Sequence, residues 1–401
     1  MKMSKNIFII IIGLIVFASC SKTGISDLQT DPNNPNSVPS NLILVPVLNN
    51  LAGQSGNGNL AGITAFGDVQ KWNQYYCENY DYYGNNIYSW TSFSYSPYLV
   101  LNNVVQMENK AIASGAGSTN PYEAIGKFVR AYYFYNMSSL LGDIPLTDAL
   151  QGSSNFTPTY TSQSGVFKYV LNILDTANNH FATLIAKNDN SLPAAQDLFY
   201  QGNLAKWQKL VNTFKLRVLI ALSKKSSDAT LNIQTQFANI LNNSATYPVF
   251  TSQSDDMAFN FDATYNQYSL NPNAFGSIGT RNNMAATYVS ACTSIQDPRV
   301  FVTCEPAWSL VGSDPNPAQF NYFVGASTGE PLSTMYGNAS ANKYSFINRK
   351  RYWSTFVGEP YVLVGYKELC LNIAEGITRG WASGNAENFY KKGMIFTIAG
   401  L

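Results

Sequence analysis

The sequence predicts a mainly α-helical protein in which helical hairpins carry long irregular inserts. Several segments repeat apolar residues at three- and four-residue spacing between capping residues, which is the pattern of an amphipathic helix. Between them, residues 75–95, 252–281 and 297–353 are rich in Asn, Gly, Ser and Tyr and lack a clear period. Inserts of this length in a compact chain are usually functional or disordered. We therefore expect a helical scaffold that presents these inserts.

Residues 1–19 are predicted to be a lipoprotein signal peptide. Lys2 and Lys5 provide a basic start, and the apolar run at 7–17 is too short to span a bilayer. The small residues directly before Cys20 resemble the bacterial lipobox, in which the cysteine is acylated. An ordinary cleaved signal with an incidental cysteine is the alternative. Acyl chains on Cys20 would tether the protein to a membrane surface.

Residues 20–41 are predicted to be a flexible tether, because they are rich in Ser, Asn and Pro and cannot bury a core. One folded domain is expected over residues 42–401. No segment after the signal approaches eighteen consecutive apolar residues, so we predict no membrane-spanning helix in the mature chain.

The clearest helix begins after Asn120, which supplies an N-cap. Pro121 occupies the first helical position, and Glu123 stands at capping-box spacing. Gly142 is expected to end the helix, and Pro145 prevents it from resuming. The predicted apolar face consists of Ala124, Phe128, Ala131, Tyr135 and Ser138. Small residues alternate with rings on this face, which lets a neighbouring helix approach closely.

Two further helix pairs follow the same plan. The second pair is marked by Phe167, Leu171, Leu174, Phe181 and Leu184 on one helix and by Trp207, Val211, Phe214, Val218 and Ala221 on the other. The third is marked by Val362, Tyr366, Leu369, Ile373 and Ile377, followed by a helix that Asn385 caps. Successive helical hairpins of roughly 34 residues are typical of tetratricopeptide-type stacking. The fold class is therefore mainly α, with tetratricopeptide-type hairpins and long irregular loop inserts.

The composition limits the possible functions. Aromatic residues (26 Tyr, 23 Phe, 6 Trp) outnumber charged ones (25 Lys+Arg, 24 Asp+Glu), and the net charge is only +1. Without a basic stripe, nucleic-acid binding is not expected. The single histidine, His180, cannot form a His-based zinc site alone, and its place on a helix flank predicts a packed or half-exposed side chain. With 44 Asn, the chain suits an extracellular protein that meets uncharged polar ligands.

The mature chain has four cysteines besides Cys20, and their spacing fits neither a metal knuckle nor a redox motif. They are Cys77, Cys292, Cys304 and Cys370. The second and third could close a disulfide in an oxidising compartment, or they are lone thiols that happen to be close in sequence. No metal and no cofactor is predicted.

Catalysis finds little support in the sequence. Glycoside hydrolysis needs two carboxylates across a cleft, and no motif fixes such roles for Asp255, Asp256 or Asp262. The Gly-rich stretch 53–57 lacks the lysine and the strand-to-helix context of a phosphate loop. We therefore predict a protein that is not an enzyme and has no catalytic residues.

The inserts carry the residues that sugar binding needs, namely flat rings for the C–H faces of pyranoses and amides for the hydroxyls. The predicted carbohydrate-binding residues are Trp72, Tyr76, Tyr82, Tyr83 and Trp90, with Trp308, Tyr322 and Trp353 on an opposite wall. A ring that removes about 40 Å² of apolar surface from water contributes on the order of 1 kcal/mol, so two or three are required. Any one of these rings could instead be core packing. Trp207 and Trp381 lie on helical segments and are expected to be structural.

The helix that ends at Gly142 also carries a family resemblance. It reads Arg-Ala-Tyr-Tyr-Phe-Tyr at 130–135 and Leu-Leu-Gly-Asp-Ile-Pro-Leu at 140–146. This resembles the SusD/RagB family of Bacteroidetes outer-membrane lipoproteins, in its SusD-like, starch-binding-associated branch. Supporting motifs are Asp-Pro-Asn at 31–33, Asp-Pro-Arg at 297–299 and Tyr-Lys-Glu-Leu at 366–369 leading to Ala-Glu-Gly at 374–376.

The resemblance implies a lipoprotein of the outer membrane, anchored at Cys20 and facing the cell exterior. It would bind oligosaccharides and act as a lid on a SusC-like TonB-dependent transporter in glycan uptake. It further implies a domain that is short at its C-terminus compared with other family members. Two alternatives stay open, an α-helical glycan hydrolase and a structural transporter lid that binds only protein.

Overall fold

The computed structural model describes residues 38–53, 66–82, 84–86 and 95–399, without the side chains of residues 68, 277, 278 and 395–399. The predicted signal peptide, Cys20, nearly all of the predicted tether, Tyr83 and Trp90 lie outside these residues. The first described helix begins at Ser40 and so includes the last residues assigned to the tether. No helix in the described part of the chain is long and apolar enough to cross a membrane.

Helices dominate the structure. In chain order they are α1 Ser40–Leu51, α2 Asp68–Trp72, α3 Pro97–Ala113, α4 Pro121–Leu141, α5 Gln163–Ala186, α6 Leu204–Ala221, α7 Ile233–Asn242, α8 Ala286–Ser294, α9 Val300–Thr303, α10 Trp308–Val311, α11 Leu332–Ser340, α12 Arg349–Tyr352, α13 Tyr366–Thr378 and α14 Ala386–Ala399. The strands are β1 Tyr76–Glu78, β2 Ile144–Pro145, β3 Tyr160–Thr161, β4 Met257–Phe259, β5 Asn282–Met284 and β6 Tyr361–Val364. They form the antiparallel pairs β1–β5, β2–β3 and β4–β6.

The predicted helix α4 and the two predicted helix pairs, α5–α6 and α13–α14, are present, which confirms the mainly α fold class. Helix α3 packs against α4 as its partner and was not predicted. Helix α5 packs against both α4 and α6, and α13 packs against α6. Val362 was expected on the first helix of the last pair, but it lies in strand β6. The helix starts only at Tyr366, whose backbone N–H donates to Asp256 Oδ1 at 2.7 Å. The predicted cap at Asn385 is confirmed by its Oδ1, which accepts from Asn388 N at 3.0 Å.

Helix α4 forms as its capping residues predict. Asn120 Oδ1 accepts from Glu123 N at 3.0 Å, and Gly142 ends the helix with φ +82°. The next residue, Asp143, accepts from Gln163 N at 2.8 Å and so fixes the start of α5. The Gly-Asp-Ile-Pro turn therefore sets the return of the chain from one helix to the next.

The arginine of the same motif joins α4 to α3. Arg130 forms an ion pair with both carboxylate oxygens of Glu108, and the two side chains are only 11% and 14% exposed. Burial is the largest influence on the pKa of Glu108 and raises it, although the bonds from Arg130 oppose that shift. Gly126 makes room for the pair, because a Cβ there would lie 2.2 Å from Glu108 Oε1.

The main core lies between the hairpins and centres on Trp207, which is fully buried. Its ring packs edge-on against Phe128, with the centroids 5.9 Å apart, and its Nε1 donates to Asp197 Oδ2 at 2.8 Å. Trp381 is also buried, so both tryptophans are structural as expected.

His180 is half-buried, and burial lowers its pKa. The cysteines of the described chain are all buried free thiols, so Cys292 and Cys304 form no disulfide.

A second hydrophobic cluster joins insert residues to strand β5 and helix α8 and is separate from the helical core. Its buried members are Tyr76, Tyr268, Leu270, Met284, Val289, Cys292, Val300, Cys304, Phe323, Ile347 and Trp353. The described parts of the inserts are therefore folded around a core of their own, although their sequences lack a clear period.

Candidate functional site

The pairing of β1 with β5 brings the first two inserts together. Tyr76 pairs with Met284, and the ladder continues beyond Glu78 because Asn79 N donates to Arg281 O at 2.8 Å. Residues 79 and 80 consequently lie beside residues 280 and 281. This places an amide, a tyrosine ring and a guanidinium at one end of a two-stranded sheet.

The third insert completes a cleft of about 460 Å³ at this point. Tyr336 of α11 approaches Tyr80 edge-on, with ring centroids 6.2 Å apart, and the Arg281 guanidinium lies over the Tyr80 ring at 4.2 Å. The lining residues are Asn79, Tyr80, Gly276, Thr280, Arg281, Tyr336, Ala339, Ser340, Asn342, Phe346 and Arg349. We call this space the insert cleft.

Two large exposed rings belong to the insert cleft or adjoin it. Tyr336 lines it and is 41% exposed. Trp308 is 44% exposed, and its Nε1 donates to Glu305 Oε2 at 3.3 Å. The same carboxylate pairs with Arg349, and Ser309 N donates to Asn342 O at 3.1 Å, so the start of α10 is bonded to lining residues. Exposed rings beside polar groups are what a sugar-binding surface requires.

Some polar groups at the insert cleft have hydrogen-bond or ion-pair partners, and others have none. Asn79 is 1% exposed, and its Nδ2 has no hydrogen-bond partner. A buried unpaired donor costs free energy unless a ligand or water satisfies it. Glu305 is partly buried, which by itself would raise its pKa, but the bonds and charge of Arg349 outweigh this and lower it. Glu305 is therefore a charged partner that holds Arg349 in place.

Comparison with known proteins shows to which family this chain belongs. The sequence model of the family described as "Starch-binding associating with outer membrane", SusD-like, matches residues 32–399. This chain is a member of the SusD-like family. The match confirms the resemblance that the Arg130 and Gly142 motifs carry. No curated protein matches the chain.

Solved structures agree with this assignment. A SusD homologue of Bacteroides fragilis is 25% identical, with a TM-score of 0.75 over 89% of this chain and 71% of that one. A second SusD homologue of the same organism is 28% identical, with a TM-score of 0.74 over 89% and 72%. A chitin-binding protein is 22% identical, with a TM-score of 0.65 over 89% and 74%, and shares the fold.

The SusD-like chain places the predicted sugar-binding residues in different surroundings. Tyr82 is 76% exposed and does not line the insert cleft, Trp72 is half-buried, and Tyr322 donates from its hydroxyl to Asp314 Oδ2 at 2.6 Å. Tyr76 and Trp353 are 3% and 4% exposed in the second cluster. For these two the expectation is corrected, because their rings pack on protein side chains and offer no face to a ligand.

Sequence reasoning placed Tyr80 in the ring-rich cluster of the first insert but did not select Arg281 or Tyr336. Tyr336 could have been found from its neighbours in sequence, because Tyr-Gly-Asn occurs at 336–338 as it does at 83–85 in the first insert. Arg281 gave no signal, because only the register of β5 against β1 places it over the ring of Tyr80.

A larger cleft of about 740 Å³ lies elsewhere and suits sugars less well. Its aromatic lining residues are Phe199, which is half-buried, and Tyr200, which is 5% exposed and donates to Asp255 O at 2.9 Å. The acidic residues nearby serve the fold, since Asp255 binds Lys209 at 3.0 Å and Asp256 caps α13. Among the described residues no group of three or more His, Cys, Asp or Glu could hold a metal ion.

Proposed function

We propose that this SusD-like protein is a binding lipoprotein that captures oligosaccharides at the insert cleft for a SusC-like TonB-dependent transporter. The observation that carries the proposal is the junction of the inserts, where Tyr336, Trp308 and Asn79 combine exposed rings with an unpaired buried donor. Ring faces cover the C–H surface of a sugar, and amide and hydroxyl groups exchange hydrogen bonds with its hydroxyls.

Membership of a starch-binding-associated, outer-membrane family supports the location and the glycan ligand. In this proposal Cys20 carries the acyl chains that hold the protein at the outer membrane, with the domain facing the exterior. The helical hairpins pack on the transporter, and the inserts meet the ligand. Binding is weak and fast, which suits a protein that passes its ligand on.

The proposal excludes chemistry on the ligand. Asp255 and Asp256 are held by structural bonds, and Asp262 accepts from Thr264 N and Tyr265 N at 2.7 and 2.8 Å as a turn residue. These roles favour binding over a glycan hydrolase.

Affinity electrophoresis against a panel of polysaccharides, followed by calorimetry with oligosaccharides, tests the proposal. We expect retardation by at least one glycan without product release, and weaker binding in Tyr336→Ala and Trp308→Ala. Tyr265→Ala is the matched control, because Tyr265 is 94% exposed and does not line the insert cleft. Product release would favour the hydrolase alternative.

A second arm separates the ligand site from the transporter contact. Co-purification of the transporter should be unchanged in Tyr336→Ala and Trp308→Ala. Transporter binding without any glycan binding would favour the protein-binding lid. Replacement of Cys20 by Ser should release the protein from the membrane fraction, and retention there would contradict the lipid anchor.

A further inference from the structure

The charges of the insert cleft are of one sign. Its lining contains two arginines, Arg281 and Arg349, and no aspartate or glutamate. The Arg349 charge is already neutralised, because its Nε lies 3.0 Å from Glu305 Oε1 within a bidentate pair. No ion pair among the described residues involves Arg281. Among the described lining residues, Arg281 is therefore the cation without an ion-pair partner.

The position of Arg281 leaves its N–H groups available. Its guanidinium lies over the ring of Tyr80 at 4.2 Å, in the stacking contact that this planar cation favours. A stacked guanidinium still has donors around its edge, which match the two oxygens of a carboxylate or a sulfate. The neighbouring Asn79 Nδ2 is also a donor, and it is buried without a partner. The buried Asn79 donor therefore requires an acceptor, and the partly exposed Arg281 guanidinium can bind a charged one beside it.

We propose that the oligosaccharide bound at the insert cleft carries an anionic substituent, a carboxylate or a sulfate ester, that is recognised by Arg281. This inference rests on the proposed sugar-binding function and narrows its ligand class. The uncharged polar ligand that the composition indicates is thereby replaced by an acidic glycan. The exposed ring of Tyr336 covers the sugar, and Asn79 donates to an oxygen of the ligand.

Pairs of polysaccharides with the same backbone test the inference. Polygalacturonate is compared with its fully methyl-esterified form, and dextran sulfate with dextran, by affinity electrophoresis and calorimetry on the purified protein. We expect the charged member of at least one pair to bind about tenfold or more tightly, because hydrogen bonds to charged groups are the stronger ones. The pair that shows the difference distinguishes a carboxylate from a sulfate.

Variants show whether Arg281 is responsible. Arg281→Gln should remove the preference for the charged member, and Arg281→Lys should retain part of it. Lys224→Gln, which removes an exposed cation outside the cleft, should change nothing. Equal loss in Arg281→Gln and Lys224→Gln would mean unspecific attraction and would overturn the inference. Circular dichroism of each variant checks that it is folded.

The outcomes also separate this inference from the proposed function. Equal binding of both members of every pair, still weakened by Tyr336→Ala, would refute the anionic ligand and keep the sugar site. If no polysaccharide of either kind binds, both proposals fail.

Discussion

At Gly126, helix propensity and packing predict opposite effects of an alanine substitution on the stability of the protein. It lies inside α4, and replacing a helical glycine by alanine normally stabilises a protein by about 1 kcal/mol. Here the added Cβ would lie 2.2 Å from Glu108 Oε1 and 3.0 Å from Val104 Cγ1. A free glutamate would move aside easily, but this carboxylate is held by Arg130 in a pair that is nearly buried.

The magnitude follows from the two opposing effects. Separating a buried ion pair costs about 3–5 kcal/mol, and the gain in helix propensity is about 1 kcal/mol. We therefore expect Gly126→Ala to lower the free energy of unfolding by about 2–4 kcal/mol. Urea denaturation, followed by circular dichroism, measures this change in the free energy of unfolding.

A control and a coupling measurement make the test specific. Gly337 is also helical, in α11, and a Cβ there would meet nothing within 4 Å, so Gly337→Ala should be neutral or stabilising. Glu108→Ala should cost less in the Gly126→Ala background than in the native chain, since the pair is already broken there. Stabilisation by Gly126→Ala, or strictly additive effects of the two substitutions, would refute the reasoning.

Three further predictions concern the scaffold. Asn120→Ala removes the cap of α4 and should lower stability by about 1 kcal/mol in the same denaturation assay, with no loss expected for the nearby exposed Ser118→Ala. Trp207→Ala empties a fully buried site and should cost about 3–5 kcal/mol, and a loss below 1 kcal/mol would contradict the assigned core. Burial raises the pKa of Asp256 to about 6, so the folded state holds its proton more tightly than the unfolded state. Its contribution to stability is present below about pH 4 and is lost as the pH rises through 6, and Asp256→Asn should flatten this part of the pH profile. If Asp256→Asn leaves the difference between the urea midpoints at pH 4 and pH 7 unchanged, Asp256 is not the source of this pH dependence.

The scaffold could be predicted from the sequence because its signals are local. Asn120, Pro121 and Gly142 each specify a helix end through their own backbone chemistry, and the structure has those ends. The helix beginning at Tyr366 was placed too early because its cap comes from Asp256, 110 residues away in sequence. A cap of that kind leaves no local pattern to detect.

For the candidate site, the sequence predicts the residue types but not which individual side chains are exposed. Rings interleaved with Asn and Gly predicted a site in the inserts, and Trp308 and Tyr82 are exposed there. The same residue types also build the second cluster, however, so Tyr76 and Trp353 could not be told apart from surface rings by sequence alone. Their burial depends on contacts between residues far apart in sequence.

The separation of the main core from the second cluster suggests how one scaffold can serve different ligands. The main core is formed by the helical hairpins, whereas the second cluster is formed by insert residues together with β5 and α8. The rings and charges of the insert cleft come from three inserts that meet outside the main core. Substitutions at Tyr336 or Arg281 should therefore change ligand preference without disturbing Trp207 and its neighbours. Ligand class and scaffold stability are then separable properties of this chain, and measuring both on the same variants tests that separation directly.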